Sequence, residues 1–131
     1  MSIRDDLNFS RETVLEDLRS VSAQCYYHSI TLEGVDKDLR DVELALEIYE
    51  AELSERLEGE YRKTGSSTES GCSRYIKQKV PLDAKYQELR KVISLTRYRR
   101  NVVRAARDGF AMKGDMLRSF ISYLKKEVES L

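Results

Sequence analysis

LDAKYQELRKVISLTRYRRNVVRAARDGFAMKGDMLRSFISYLKKEV, residues 82–128, decides the fold. Leu82, Tyr86, Leu89, Ile93, Val103, Phe110, Leu117, Ile121, Leu124 and Val128 fall at alternating steps of four and three, the spacing of a heptad seam on one helix. Thr96, Arg100, Arg107 and Gly114 fill the remaining places of the seam. A long arginine can lay its methylene stem along an apolar partner while its guanidinium reaches water, so the seam survives those two residues. Gly109 and Gly114 each cost a helix about 1 kcal/mol relative to alanine, and Asp108-Gly109 is a candidate bend. Pro81 disfavours helical geometry at Val80 and suits a first helical turn, which predicts a start near Leu82.

Upstream of Pro81 the clearest loop is 64–67, with Gly65 suited to the residue after a helix end. Ser66 and Glu69 fit a capping box, predicting a short helix over 67–79, with disorder the alternative given Ser70, Gly71 and Ser73. Before the loop, Val35, Leu39, Val42, Leu46, Tyr49, Leu53 and Leu57 (or Arg56) form a second seam over a helix at 35–64, with Leu44, Ile48 and Ala51 broadening it. Farther back, Val14, Leu18, Val21 and Cys25 mark a helix over 10–28, capped by Ser10 after a frayed start. Between the two, Ile30, Thr31 and Gly34 blur the pattern, and a break or kink is expected near 29–34.

One proline, six glycines and no tryptophan in 131 residues disfavour turn-rich sandwiches and barrels, and 35% charged residues favour long amphipathic helices. The expected fold is therefore all-α, a single domain over 1–131: an elongated helical hairpin or coiled-coil-like subunit with a long C-terminal helix, oligomerising through its apolar seams. Two cysteines, Cys25 and Cys72, in neither a disulfide framework nor a C-x-x-C spacing fit a reducing, cytoplasmic setting. No apolar run approaches the length of a membrane span, and no basic-then-apolar leader opens the chain.

Net charge is zero but unevenly placed. Residues 35–60 carry three basic and ten acidic groups, net −7, whereas 61–126 carry seventeen and five, net +12. The acidic run reads as a solvated helix face; paired carboxylates for a metal would want a histidine that the run lacks. His28 lies three residues after Cys25, but a nucleophilic pair also needs an orienting group and an oxyanion site, so no enzyme, cofactor or metal is expected. The basic half is the informative one. Arg97, Arg100, Arg104 and Arg107 share a narrow arc, flanked by Arg99, Lys113 and the aromatic ring of Tyr98, and Arg74, Lys77 and Lys79 lie on the short helix before them. Guanidiniums with an aromatic ring suit phosphates and unpaired bases. The same arginines also suit pairing with the Glu-rich helix across a coiled-coil edge, and both uses stay open.

From Leu44-Ala45-Leu46-Glu47-Ile48-Tyr49 onward, the order of short motifs resembles the UvsY-like recombination mediators of tailed phages. The others are the Lys63–Glu69 turn ending in Thr68-Glu69, Val80-Pro81-Leu82-Asp83-Ala84-Lys85-Tyr86-Gln87-Glu88-Leu89, and Arg104-Ala105-Ala106-Arg107-Asp108-Gly109-Phe110-Ala111-Met112-Lys113. The resemblance spans roughly the last two-thirds of the chain. It implies a phage protein of DNA recombination and repair, working in the host cytoplasm. Such a protein forms a ring-like homo-oligomer of about six or seven subunits, binds single-stranded DNA, and helps load a RecA-like recombinase onto DNA covered by single-strand-binding protein. Where the family can carry a Lys-x-Arg-Leu element, this chain has Ser54-Glu55-Arg56-Leu57, so only Arg56 carries over. A helical interaction or assembly factor without a nucleic-acid role, such as a phage inhibitor of a host protein, is the other class the pattern admits.

Overall fold

The structure, a computed structural model, describes the backbone of residues 3–65 and 68–130 and the side chains of 12–65 and 68–130. Of the described residues 96% are helical, in three α-helices and a short 3₁₀ turn, and none lies in a strand. Helix α1 is Ile3–Lys63, α2 is Glu69–Lys79, a 3₁₀ turn covers Val80–Leu82, and α3 is Ala84–Glu129. The contacts divide the chain into two compact units, one of Met1–Gly34 with Arg100–Leu131 and one of Val35–Arg99.

The heptad reading of α3 holds from Tyr86 to Leu124: every seam position between them is buried or half-buried, Arg100 and Arg107 included. Its two ends do not hold. Leu82 is 69% exposed, because it sits in the 3₁₀ turn, whose three-residue period carries it off the seam, and Val80 is buried there instead. Val128 is also exposed.

Helix α1 differs from expectation at three places. It starts at Ile3, so residue 10 is inside the helix rather than capping it; no proline or glycine in the sequence of 3–9 interrupts a helix. It also runs unbroken through 29–34. His28, Leu32 and Val35 continue the four-three stepping, with Leu32 and Val35 buried, while Gly34 falls on the exposed face where its lost side chain leaves no packing defect. Finally, Leu44 and Ile48 are 55% and 52% exposed and Ala51 is exposed as well, so they lie outside the seam they were expected to broaden. Near the end of α1 the seam continues through Leu53 and Leu57 at successive steps of four, leaving Arg56 outside. Such a local insertion shifts the seam around the helix.

In the unit of Val35–Arg99, Leu53, Leu57, Val80 and Tyr86 form the core, with Leu46, Tyr49, Tyr75 and Ile76 packed on it. Burying each such large side chain contributes about 1.5–3 kcal/mol. The turn between α1 and α2 places Gly65 at φ 85, the left-handed conformation expected of it. Helix α2 begins two residues later than expected, with Thr68 at the N-cap; Ser66 and Ser67 lie outside the described residues. Asp83 starts α3: its Oδ2 accepts the Tyr86 N–H at 3.0 Å and the Tyr49 hydroxyl at 2.6 Å, tying the first turn of α3 to α1.

In the other unit, the seams of α1 and α3 close on each other. His28 stacks on Phe110 at 5.4 Å between ring centroids, and the Cys25 thiol faces the Arg107 carbonyl at 3.9 Å. A Cβ placed on Gly114 would touch Val21 Cγ1 at 3.5 Å, so the two backbones approach closely there. Val14, Val21, Leu32 and Leu124 are buried.

Candidate nucleic-acid interface

Two kinds of cation emerge from the fold. The first kind is held by a carboxylate of the same chain. Arg97 donates to Glu43 at 3.3 Å across the α1–α3 edge. Seven residues earlier, Arg90 donates to the Tyr86 hydroxyl at 3.1 Å and feels the charge of Glu50, itself seven residues after Glu43. Antiparallel helices set such flanking positions opposite each other, so a basic row on α3 meets an acidic row on α1. The seven-residue step from Arg90 to Arg97 matches the step from Glu50 back to Glu43, whereas Arg104, one step further along, has no ion pair among the described residues. Arg107 donates to the adjacent Asp108 through Nε and Nη2 at 3.1 and 2.9 Å while its stem lies in the seam. Arg56 is 3.6 Å from Asp83 and belongs to the helix-start cluster, which explains its presence without DNA.

Asp83 is the electrostatic centre of that cluster. The Tyr49 hydrogen bond, then the Tyr86 N–H, hold its carboxyl below the ordinary carboxylate value, and the same Tyr49–Asp83 bond pushes the Tyr49 phenol up. Lys85 lies over the Tyr49 ring, 4.8 Å from its centroid. These groups tie the start of α3 to α1.

The second kind is exposed and carries no ion pair among the described residues. Arg74 and Lys77 on α2 are of this kind, as are Arg99, Arg104 and Lys113 on α3. Lys79 is exposed but lies over the Tyr75 ring at 5.7 Å. Beside Arg99, Tyr98 is 70% exposed, an aromatic face open to a flat partner. Arg100 differs from all of these: it is half-buried in the seam, and its Nε is covered without a hydrogen-bond partner among the described residues. Of the ten nominated cations, Arg56, Arg97 and Arg107 are thus tied to carboxylates, Arg100 is part of the packing, and the remaining six face solvent.

The acidic stretch of α1 is largely solvated, and no group of three or more His, Cys, Asp or Glu among the described residues is placed to hold a metal. No described helix is long and apolar enough to cross a membrane. Comparison with protein-family models, with curated proteins and with solved structures finds no match.

Proposed function

We propose that the protein is a recombination mediator that binds single-stranded DNA and, as a homo-oligomer, helps a RecA-like recombinase displace single-strand-binding protein. The observation that carries this reading is the set of exposed cations without carboxylate partners, Arg74, Lys77, Arg99, Arg104 and Lys113, with the open ring of Tyr98 beside Arg99. A chain of zero net charge that pairs Arg97 and Arg107 yet leaves these five unpaired keeps positive charge available for phosphates. An exposed tyrosine next to a guanidinium is suited to a stacked base, the sequence-tolerant mode of single-strand binding. The motif order that resembles UvsY-like mediators supports the same reading.

An order-of-addition assay tests it. DNA-dependent ATP hydrolysis by a RecA-like recombinase is followed on an oligonucleotide first covered with single-strand-binding protein. The mediator reading expects the added protein to shorten the lag; an unchanged lag over the concentration range in which the protein binds DNA refutes it.

A second reading, a helical interaction or assembly factor with no nucleic-acid role, is favoured by the exposed apolar side chains of α1 and α3, among them Tyr26, Tyr27, Leu44 and Ile48. Capture of a defined protein partner by a chain that fails to bind oligonucleotides would support it.

A further inference from the structure

The seams expected to join subunits are filled within the chain, and α3 carries a second apolar row that is not. In the unit containing Arg100–Leu131, Met112, Met116, Phe120 and Tyr123 are 66%, 68%, 42% and 58% exposed. Their steps of four, four and three place them within a quarter-turn of one another, on the side of α3 away from its seam residues Phe110, Gly114, Leu117, Ile121 and Leu124. With an aromatic side chain offering about 150–250 Å², the four leave on the order of 500 Å² of largely apolar surface open, large for a lone soluble chain.

We infer that this row is the contact between two copies of the chain, paired antiparallel through α3 about a two-fold axis between Leu117 and Arg118. The row is complementary to itself in that arrangement. Met112 of one copy meets Tyr123 of the other, and Met116 meets Ser119 and Phe120, so each large side chain fills a place opposite another rather than stacking on its own image. The polar ends match as well. Lys126 of one copy lies across from Gly109 of the other, where a side chain on the glycine position would meet nothing within 4 Å in its own chain, leaving room for the lysine stem. The ammonium then reaches the neighbouring Asp108, whose Oδ1 takes both Arg107 bonds and whose Oδ2 takes none among the described residues. At the rim, Glu127, four residues on along the same helix, pushes the Tyr123 phenol up, so a polar neighbour is at hand for the hydroxyl when the ring is covered. Burying the row on both copies removes roughly 1,000 Å², the lower bound for a specific association.

The contact is independent of the nucleic-acid reading and is tested without DNA. Sedimentation equilibrium of the full chain, with helicity followed by circular dichroism, should show a dimer or an even-numbered assembly of dimers. Phe120→Glu should weaken that association at least about tenfold at unchanged helicity. Asp108→Lys should weaken it too, and Asp108→Lys combined with Lys126→Asp should restore it. In a background of Cys25→Ala and Cys72→Ser, mixing the Met112→Cys and Tyr123→Cys proteins should give a mixed disulfide dimer in preference to either like pair. A monomer at all concentrations, association indifferent to Phe120→Glu, failure of the double charge exchange, or preferential like-with-like disulfides would each overturn the proposal. If oligonucleotide binding is lost with Phe120→Glu while the mass is unchanged, the row serves DNA and the proposal also fails.

Discussion

Three glycines within helices offer one chemical change in three surroundings, and the packing fixes a different outcome for each. Replacing a glycine with alanine inside a helix gains about 1 kcal/mol from backbone entropy and propensity. At Gly109 a new Cβ meets nothing within 4 Å, so Gly109→Ala should raise unfolding free energy by about that amount. At Gly114 the Cβ would lie 3.5 Å from Val21 Cγ1 and from an Arg118 nitrogen, ordinary van der Waals contact that adds dispersion without strain. Gly114→Ala should therefore stabilise by about 1 kcal/mol or slightly more, whereas Gly114→Leu would have to push α1 and α3 apart and should cost about 1–3 kcal/mol. At Gly71 the Cβ would collide with the Tyr61 hydroxyl and lie 2.6 Å from Thr68 Oγ1. The Tyr61 ring is held against Tyr75 with centroids 5.5 Å apart, so it cannot retreat without giving up that contact. Overpacking of that kind exceeds the helical gain, and Gly71→Ala should lose about 1 kcal/mol net. Urea unfolding followed by circular dichroism measures all four variants. Stabilisation by Gly71→Ala equal to that of Gly109→Ala would refute the α1–α2 packing, and tolerance of Gly114→Leu would refute the close approach of α1 to α3.

Leu53, 3% exposed in the core of the Val35–Arg99 unit, should cost about 2–5 kcal/mol as Leu53→Ala in the same urea assay. Asp83 titrates below an unfolded carboxylate, so its share of stability is complete above about pH 4 and is lost as pH falls through its lower folded value. Asp83→Asn should lower stability at neutral pH and flatten the acid limb of a stability-against-pH curve. Tyr49 shows the opposite edge: its phenol is raised, so its share is present below about pH 10 and lost as pH rises through the higher folded value, and Tyr49→Phe should remove that alkaline loss.

The seam was legible because a helix repeats its buried face every three or four residues whatever its partner is, and even Arg100 and Arg107 obeyed it. The unbroken passage through 29–34 was obscured by Gly34 and the β-branched Ile30 and Thr31. These weaken a helix locally, and the burial of Leu32 and Val35 outweighs that weakness. Leu82 falls off the seam without warning because no seam pattern announces a 3₁₀ turn, although Pro81 lies within that turn and Asp83 ends it. For the candidate site, the residue types were visible but their partners were not. Arg97 and Arg99 look alike in the sequence, and only the facing position of Glu43 sets Arg97 apart. The outer row of Met112, Met116, Phe120 and Tyr123 went unread because a single-seam template treats apolar residues off the seam as incidental.

The central functional claim divides the cations by what they face, and one experiment compares the two groups directly: fluorescence anisotropy of a labelled single-stranded oligonucleotide titrated across a range of salt. Replacing the unpaired Arg74, Lys77, Arg99 and Arg104 by alanine should weaken binding more than tenfold and flatten the dependence of log affinity on log salt by about 0.7 per lost phosphate contact. Replacing the carboxylate-bound Arg56, Arg97 and Arg107 should leave both quantities nearly unchanged. Equal losses from the two sets, or no salt-dependent binding by the unaltered protein, would contradict the account.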